Sequence, residues 1–151
     1  LKTSPLLWAL CNESTMPTLN RTAASLRIFG DDLDPKEITD LLGCNPTDQQ
    51  SKGQDVGRNG RVRIAKTGSW HLSAERCEPG DLNRQISEIL SLTNSDVSLW
   101  SDLGKKYNVD MFCGLFMEEE MEGIDISHEI LLELGQRRIK LDFDMYGPDE
   151  H

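Results

Sequence analysis

The order of strand-like and helix-like segments constrains the fold of this chain more than any other feature of its sequence. Inward-facing apolar side chains recur at every second position over residues 22–29, 69–74 and 109–117, and residues 139–146 form a fourth strand-like run. A period of two is typical of half-buried β-strands. Apolar side chains at helical spacing lie between these runs. The segments therefore follow the order strand–helix–strand, two further helices, and strand–helix–strand.

The segment that begins at Asp34 carries the strongest helix signal in the chain. Asp34 is a favourable N-cap, Pro35 suits the first helical position, and Glu37 can close a capping box. Gly43 follows the apolar stripe, where glycine commonly ends a helix. Three more helices are predicted: one that starts at Asp81, a short one over residues 95–106, and a last one capped by Ser127.

Without the two middle helices, the order of segments is ferredoxin-like. We therefore predict an α+β fold with a four-stranded antiparallel sheet, helices on one face, and two inserted helices. The alternative is another α+β sandwich in which the inserted helices help to cover the sheet. The predicted domain spans residues 22–147, between a flexible leader over residues 1–21 and a tail over residues 148–151. Met16 is a candidate start, with residues 1–15 as upstream or added sequence.

The charge balance of the chain limits the classes of partner that it suits. The 151 residues include 16 Lys and Arg against 26 Asp and Glu, for a formal net charge of −10. This charge disfavours nucleic acid as a partner, because binding phosphates requires a basic face, and it is better suited to a basic protein. No run reaches the ~18 apolar residues that a membrane span needs, so we expect no membrane association.

The four cysteines show no spacing that indicates a metal site. Cys11, Cys44, Cys77 and Cys113 lie far apart, whereas zinc ligands usually come in close pairs. We predict no metal and no cofactor, and we expect Cys113 to be a buried thiol in a strand. This use of cysteine is typical of a reducing compartment, so we expect a cytoplasmic location.

A glycine-rich basic segment, Lys52–Trp70, stands out from the acidic remainder of the chain. It contains five positive charges and the acid Asp55. It lacks the spacing of a phosphate-binding loop and precedes a strand rather than a helix. Its positive charges can pair with the protein's own acids, remain solvated, or bind an anionic ligand, and in that last case Lys52 and Arg63 would hold the anion.

The predicted sheet leaves one face uncovered by helices. A ferredoxin-like order places the first strand between the third and the fourth, so that Arg27 lies opposite Asp142 and Asp144. The aromatic side chains on this face would form a patch of the kind that marks interfaces, unless the inserted helices or a second copy of the chain cover it. The candidate binding residues on this face are Arg27, Phe29, His71, Phe112, Phe116, Asp142, Asp144 and Tyr146.

The same face contains weak candidates for catalysis. His71 could act as a general base with Ser73 two residues away, but no third orienting group is identifiable. Asp142 and Asp144 point to the same face, as two carboxylates must in order to bind a metal or to act as an acid–base pair. No third ligand is present at a useful spacing. We therefore predict no catalytic residue and favour a role other than that of an enzyme.

Short motifs along the chain resemble those of the uncharacterised bacterial domain of unknown function 4279. The resemblance covers about residues 22–147 and implies a small bacterial protein with no established activity and no catalytic residues to carry over. The motifs are Ser25-Leu26-Arg27-Ile28-Phe29-Gly30, Asp34-Pro35 with Glu37-Ile38, Leu41-Leu42-Gly43 with Pro46-Thr47, Lys52-Gly53, Thr67-Gly68-Ser69-Trp70, and Leu141-Asp142-Phe143-Asp144-Met145-Tyr146-Gly147.

These observations favour a non-catalytic binding or interaction module of a bacterial cytosolic protein. One concrete version is an acidic, immunity-type partner of a basic effector. The alternative is a small-molecule sensor or enzyme that binds an anionic ligand between the Lys52–Trp70 segment and the open sheet face, with His71 in any proton transfer. A third hypothesis is a homodimer that forms through that face.

Overall fold

The computed structural model describes residues 18–148, which fold into one sheet covered by helices. The strands are β1 (Arg21–Gly30), β2 (Asp48–Gln50), β3 (Gly68–Ser73), β4 (Asn108–Phe116) and β5 (Lys140–Tyr146). The helices are α1 (Pro35–Leu42), α2 (Leu82–Leu92), α3 (Val97–Lys106) and α4 (His128–Gln136).

The sheet has five strands in the order β2-β3-β1-β4-β5. All neighbours are antiparallel except β4 and β5, which are parallel. The predicted α+β class is confirmed, but the predicted four-stranded antiparallel ferredoxin-like sheet is wrong. A strand–helix–strand segment fits two arrangements, one with the two strands adjacent and parallel and one with another strand between them. Here β4 and β5, which α4 connects, adopt the first arrangement. Strand β1 therefore pairs with β3 and β4 rather than with β4 and β5.

All four helices contribute to one core on a single face of the sheet. Inward side chains of the strands, such as Leu26, Trp70 and Met111, pack with buried helix residues such as Ile38 and Ile86. The indole of Trp70 donates a hydrogen bond from Nε1 to Thr39 Oγ1 of α1 at 3.0 Å, which ties α1 to the inner face. Cys113 is fully buried in this core, as predicted, and burial raises the pKa of its thiol to about 12.

The helix ends follow the signals in the sequence. The Asp34 side chain accepts a hydrogen bond from Lys36 N, and Gly43 ends α1 with a φ of 76°, in the left-handed region that favours glycine. Asp81 and Ser127 cap α2 and α4 in the same way, with hydrogen bonds to backbone N–H groups. The predicted helix starts at these three positions are confirmed.

The fold includes residues ahead of Thr22, where the domain was predicted to start. Leu19 is 3% exposed and belongs to the core, and its N–H donates to Gly123 O at 3.3 Å. Residues 1–17 of the predicted leader, and residues 149–151 of the tail, lie outside the described residues. None of the helices formed by residues 18–148 has the length and apolar character that crossing a bilayer requires.

A buried polar cluster connects β1 to α2 inside the core. Gln85 is fully buried, and its Oε1 accepts a hydrogen bond from Thr22 Oγ1 at 2.7 Å. Its Nε2 donates to Thr22 O at 3.0 Å and to Glu75 O at 2.9 Å. All polar atoms of the Gln85 side chain are therefore paired, which compensates for their removal from water.

Substitution of Gln85 tests the importance of this cluster. Gln85→Leu leaves the buried Thr22 hydroxyl without its acceptor and removes the amide donor from Thr22 O and Glu75 O, so we expect the free energy of unfolding to fall by about 2 kcal/mol. Urea denaturation measures the change. Glu88→Leu, on the exposed side of the same helix, should stay within about 0.5 kcal/mol of wild type. Wild-type stability of Gln85→Leu would contradict this assignment.

Candidate functional site

The sheet face opposite the helices is the first candidate site, and it is called the open face below. Its side chains lie outside the core cluster that contains the helices. Strand alternation and the observed register place the candidate residues from four strands on it. They are Arg27 and Phe29 of β1, His71 of β3, Phe112 and Phe116 of β4, and Asp142, Asp144 and Tyr146 of β5.

An ion pair between Arg27 and Asp110 lies near the centre of the open face. Arg27 Nε lies 2.7 Å from Asp110 Oδ1, and Nη2 lies 2.7 Å from Oδ2, so the contact is bidentate. The Asp110 side chain is 11% exposed and that of Arg27 is 25% exposed. The hydrogen bond that Arg27 donates to Asp110 raises the pKa of Arg27, even though partial burial opposes this shift. Such a pair holds β1 and β4 together on the side of the sheet that lacks a core.

The partner of Arg27 corrects the predicted pairing. Arg27 was expected opposite Asp142 and Asp144, but β4 lies between β1 and β5, so Asp110 is the direct partner. Asp142 is a secondary contact, with its Oδ2 at 3.8 Å from Arg27 Nη2 and 3.4 Å from Lys140 Nζ. The alternation of β4 already pointed Asp110 outward, so a correct strand order would have identified it.

The aromatic side chains of the open face pack against arginine side chains and are not fully exposed to solvent. The guanidinium carbon of Arg27 lies 4.3 Å from the ring centroid of Phe112 and 5.3 Å from that of Phe29. Arg21 lies 4.1 Å from the centroid of Phe116. The open face is therefore a mixed arginine and aromatic surface, in which cation–π contacts take the place of a hydrophobic patch.

The far end of this surface is formed by β4 and β5. The rings of Phe116 and Tyr146 stack with centroids 4.9 Å apart and an interplanar angle of 11°. The hydroxyl of Tyr146 donates to Asp144 Oδ2 at 3.4 Å. Asp142, whose side chain is 41% exposed, and Asp144 share the open face of β5 and make this side of it acidic.

His71 lies on the open face in surroundings that favour its neutral form. Its ring meets that of Phe29 edge to face, with centroids 5.3 Å apart, and its Nε2 is buried without a hydrogen-bond partner in the part of the chain that the structure describes. Burial lowers the pKa of His71 and nearby Arg27 lowers it further, while Asp48 and Asp110 oppose the shift. Ser73 Oγ pairs with Ser25 Oγ at 2.9 Å instead of with His71. The suggested histidine–serine pair is therefore not assembled.

The second candidate site is the basic segment, which forms a hairpin called the basic ribbon below (residues 52–66). Val56 N donates to Arg63 O at 2.7 Å, and Ala65 N donates to Gln54 O at 2.8 Å. Asn59 and Gly60 at the tip have φ angles of 56° and 74°, which is the geometry of a type I′ turn. The Asn-Gly dipeptide is a strong hairpin signal that could have predicted this ribbon.

Most positive charges of the basic ribbon lack an ionic partner among the described residues. Lys52 Nζ lies 3.7 Å from Asp31 Oδ2, and both side chains are mostly exposed. Arg58, Arg61, Arg63 and Lys66 form no ion pair within residues 18–148. Ion pairs between described residues therefore account for one of the five charges.

A pocket of about 550 Å³ lies between the basic ribbon and β2. Arg58, Arg61 and Arg63 line it together with residues 48–50. Lys52 is not part of its lining, so the pocket does not join Lys52 to Arg63, although both were expected to hold one anion. Asp48 connects the pocket to the open face, because Asp48 is the β2 neighbour of His71.

The role of the Arg27–Asp110 pair can be tested by a double-mutant cycle. Arg27→Met leaves the Asp110 carboxylate buried without its partner, so we expect a loss of about 3 kcal/mol in unfolding free energy. Asp110→Asn removes that buried charge, so the double variant should be less destabilised than the sum of the two single changes by more than about 1 kcal/mol. Additive losses in urea denaturation would show that the pair contributes no coupling.

The lowered pKa of His71 predicts a pH-dependent stability. The unfolded chain, with a histidine pKa of about 6.5, binds a proton more readily than the folded chain. The stability contributed by neutral His71 is therefore present above about pH 6.5 and decreases as the pH falls below it. We expect His71→Gln to flatten the loss of stability between pH 7 and 5. His128→Gln, at a side chain that is 90% exposed, is the control. An unchanged slope in His71→Gln would contradict the prediction.

Comparison with known proteins places the whole described domain in one family. The family model described as Domain of unknown function (DUF4279) matches residues 19–148, which include every motif quoted for the resemblance above. No curated protein and no solved structure showed a significant match to the chain. The chain therefore belongs to the domain of unknown function 4279 family.

Proposed function

We propose that this chain is a non-catalytic protein-interaction module of a bacterial cytosolic protein, and that it binds a basic protein partner through the open face. The observation that supports the proposal is the arginine and aromatic surface centred on Arg27 and Phe112, on the side of the sheet that faces away from the helices. Aromatic surface exposed on a sheet face often marks a site of protein interaction.

The composition of the open face is that of an interface centre. Aromatic residues and arginine are enriched in protein interfaces and dominate their energetic hot spots. Arg27 is already held by Asp110, and Phe116 is stacked on Tyr146. These contacts fix the side chains before binding, so the side chains of the open face would lose little conformational entropy when a partner binds.

The charge of the chain defines the chemistry of the partner. With a net charge of −10, the protein would attract a basic protein and speed the encounter. Asp142 and Asp144 supply acidic groups next to the aromatic centre. An immunity-type protein that covers the working surface of a basic effector is one concrete form of this proposal.

The shape of the open face favours a protein over a small molecule. The pockets of about 380 and 280 Å³ that touch it lie at the end where β1 finishes and β4 begins, and the pocket of the basic ribbon meets its edge at Asp48. Small-molecule sites are usually concave and enclose most of the ligand. A broad surface with pockets at its end fits a protein partner better.

The basic ribbon supports a second candidate function, the binding of a small anionic ligand. Arginines that have no ionic partner within residues 18–148 line its pocket, and guanidinium groups suit carboxylate and phosphate oxygens. Inorganic phosphate and citrate should then raise the melting temperature of the wild type but not that of Arg58→Gln/Arg63→Gln. Equal shifts in both proteins would exclude this pocket.

The main proposal can be tested by affinity capture followed by direct binding measurements. The tagged wild type should retain a basic protein that elutes as salt increases, and calorimetry with that purified protein should give the affinity. We expect Phe112→Ala/Tyr146→Ala to weaken binding at least tenfold, because truncated hot-spot side chains typically lose this much.

The control for this experiment is Leu92→Ala, at a side chain of α2 that is 54% exposed and lies away from the open face. It should bind like the wild type. Circular dichroism establishes that each variant is folded before binding is compared. Unchanged affinity of the folded Phe112→Ala/Tyr146→Ala variant would exclude the open face as the binding surface.

A further inference from the structure

Strand β5 leaves one backbone edge of the sheet unpaired within the described residues, because it is the last strand in the sheet order. Tyr146 O accepts a hydrogen bond from Met117 N at 2.9 Å, so the even-numbered residues of β5 turn their backbone groups toward β4. The N–H and C=O groups of Leu141, Phe143 and Met145 therefore point outward. An exposed edge of this kind is a template for another strand.

The side chains of β5 alternate along this edge between acidic and apolar. Asp142 and Asp144 lie on the open face. Phe143 and Met145 lie on the other side and are 39% and 69% exposed. A strand that pairs with this edge would match it best with basic side chains on one side and apolar side chains on the other.

The basic ribbon has this complementary pattern in its second strand, Arg61-Val62-Arg63-Ile64. Val62 and Ile64 are 78% and 52% exposed, and they alternate with the two arginines. Arg63 O and Ala65 N bond to the first strand of the ribbon. The backbone groups of Val62 and Ile64 therefore point outward, and they have no hydrogen-bond partner among residues 18–148.

We propose that the basic ribbon of one copy of this chain adds as an antiparallel strand to the edge of β5 in a second copy. One register places Arg63 opposite Asp142, Arg61 opposite Asp144, and Val62 opposite Phe143. In an antiparallel pair, residues whose backbone groups point to each other lie directly opposite and share a face. The apolar residues with outward backbone groups then meet one another, and each arginine meets an acid. Parallel pairing would place arginines opposite the apolar residues.

This contact forms between copies and not within one chain. The ribbon connects β2 to β3 at one edge of the sheet, and β5 is the opposite edge. About 19 Å separates the outer strands of a five-stranded sheet, at ~4.8 Å per strand. The ribbon carries a net charge of +4 within a chain of −10, which leaves −14 on the remaining residues. The association is therefore head to tail and driven by opposite charge.

A charge-swap experiment tests this inference independently of the proposed function. The first variant, Arg61→Asp/Arg63→Asp, has an acidic ribbon, and the second, Asp142→Arg/Asp144→Arg, has a basic edge. In sedimentation velocity at low salt, the wild type should gain mass with concentration and lose this mass in 0.5 M salt. Each variant alone should remain monomeric. Their equimolar mixture should associate again, since each variant then meets an edge or a ribbon of opposite charge.

Two further variants separate this mode of association from other causes. Lys36→Asp/Arg76→Asp makes the same change in net charge as Arg61→Asp/Arg63→Asp, but at exposed positions outside the ribbon, and it should associate like the wild type. Val62→Pro removes an outward N–H and leaves the ribbon's own hydrogen bonds intact, and an edge strand tolerates proline. This variant should remain monomeric. This variant decides the question if a charge-swap variant does not fold.

A wild type that stays monomeric at all concentrations at low salt would overturn the inference. So would association of the Arg61→Asp/Arg63→Asp or Val62→Pro variant at wild-type strength, or a mixture of the two folded charge-swap variants that remains monomeric.

Discussion

Burial on only one face of the sheet is the constraint from which the rest of this structure follows. All four helices pack on one side, where Trp70, Met111 and Ile86 share the core. The open face must then be stabilised by contacts among its own side chains. The Arg27–Asp110 pair, with two contacts of 2.7 Å across β1 and β4, provides the central one. The arginine in turn covers Phe112, so removal of Arg27 would expose an aromatic ring and leave a buried carboxylate unpaired.

The same contacts make the open face suitable for a partner. Side chains that already hold one another need little ordering when a second protein arrives, and rings beside guanidinium groups are the usual centres of binding energy. His71 fits this interpretation better than it fits catalysis, because its neutral ring packs on Phe29 and Ser73 pairs elsewhere. The basic ribbon at one edge and the acidic strand β5 at the other extend the surface beyond the face itself. Charge separation across the sheet thus gives the molecule two ends of opposite sign.

Local features of this fold could be predicted from the sequence, whereas the arrangement of strands could not. Asp34, Asp81 and Ser127 cap helices because short polar side chains satisfy free N–H groups, and such signals are local. The outward direction of the open-face residues follows from alternation alone. The order of strands depends on long-range pairing, and a strand–helix–strand segment is compatible with more than one order. This is why Arg27 was placed opposite Asp142 and Asp144 rather than Asp110. The basic ribbon, by contrast, could have been predicted, because the Asn59-Gly60 dipeptide is a strong local signal for a hairpin turn.

Hydroxyl-radical footprinting of the isolated chain, at concentrations low enough to keep it monomeric, tests the central claim that the open face is accessible for binding. Oxidation of individual side chains, measured by mass spectrometry, reports their contact with water. Phe112 and Tyr146 are half-buried on the open face, whereas Trp70 and Trp100 are 0% and 1% exposed in the core. The account predicts clear oxidation of Phe112 and Tyr146 and strong protection of both tryptophans, even though tryptophan is intrinsically the more reactive. Protection of Phe112 and Tyr146 to the level of the core would show that another part of the protein covers this face, and would contradict the account.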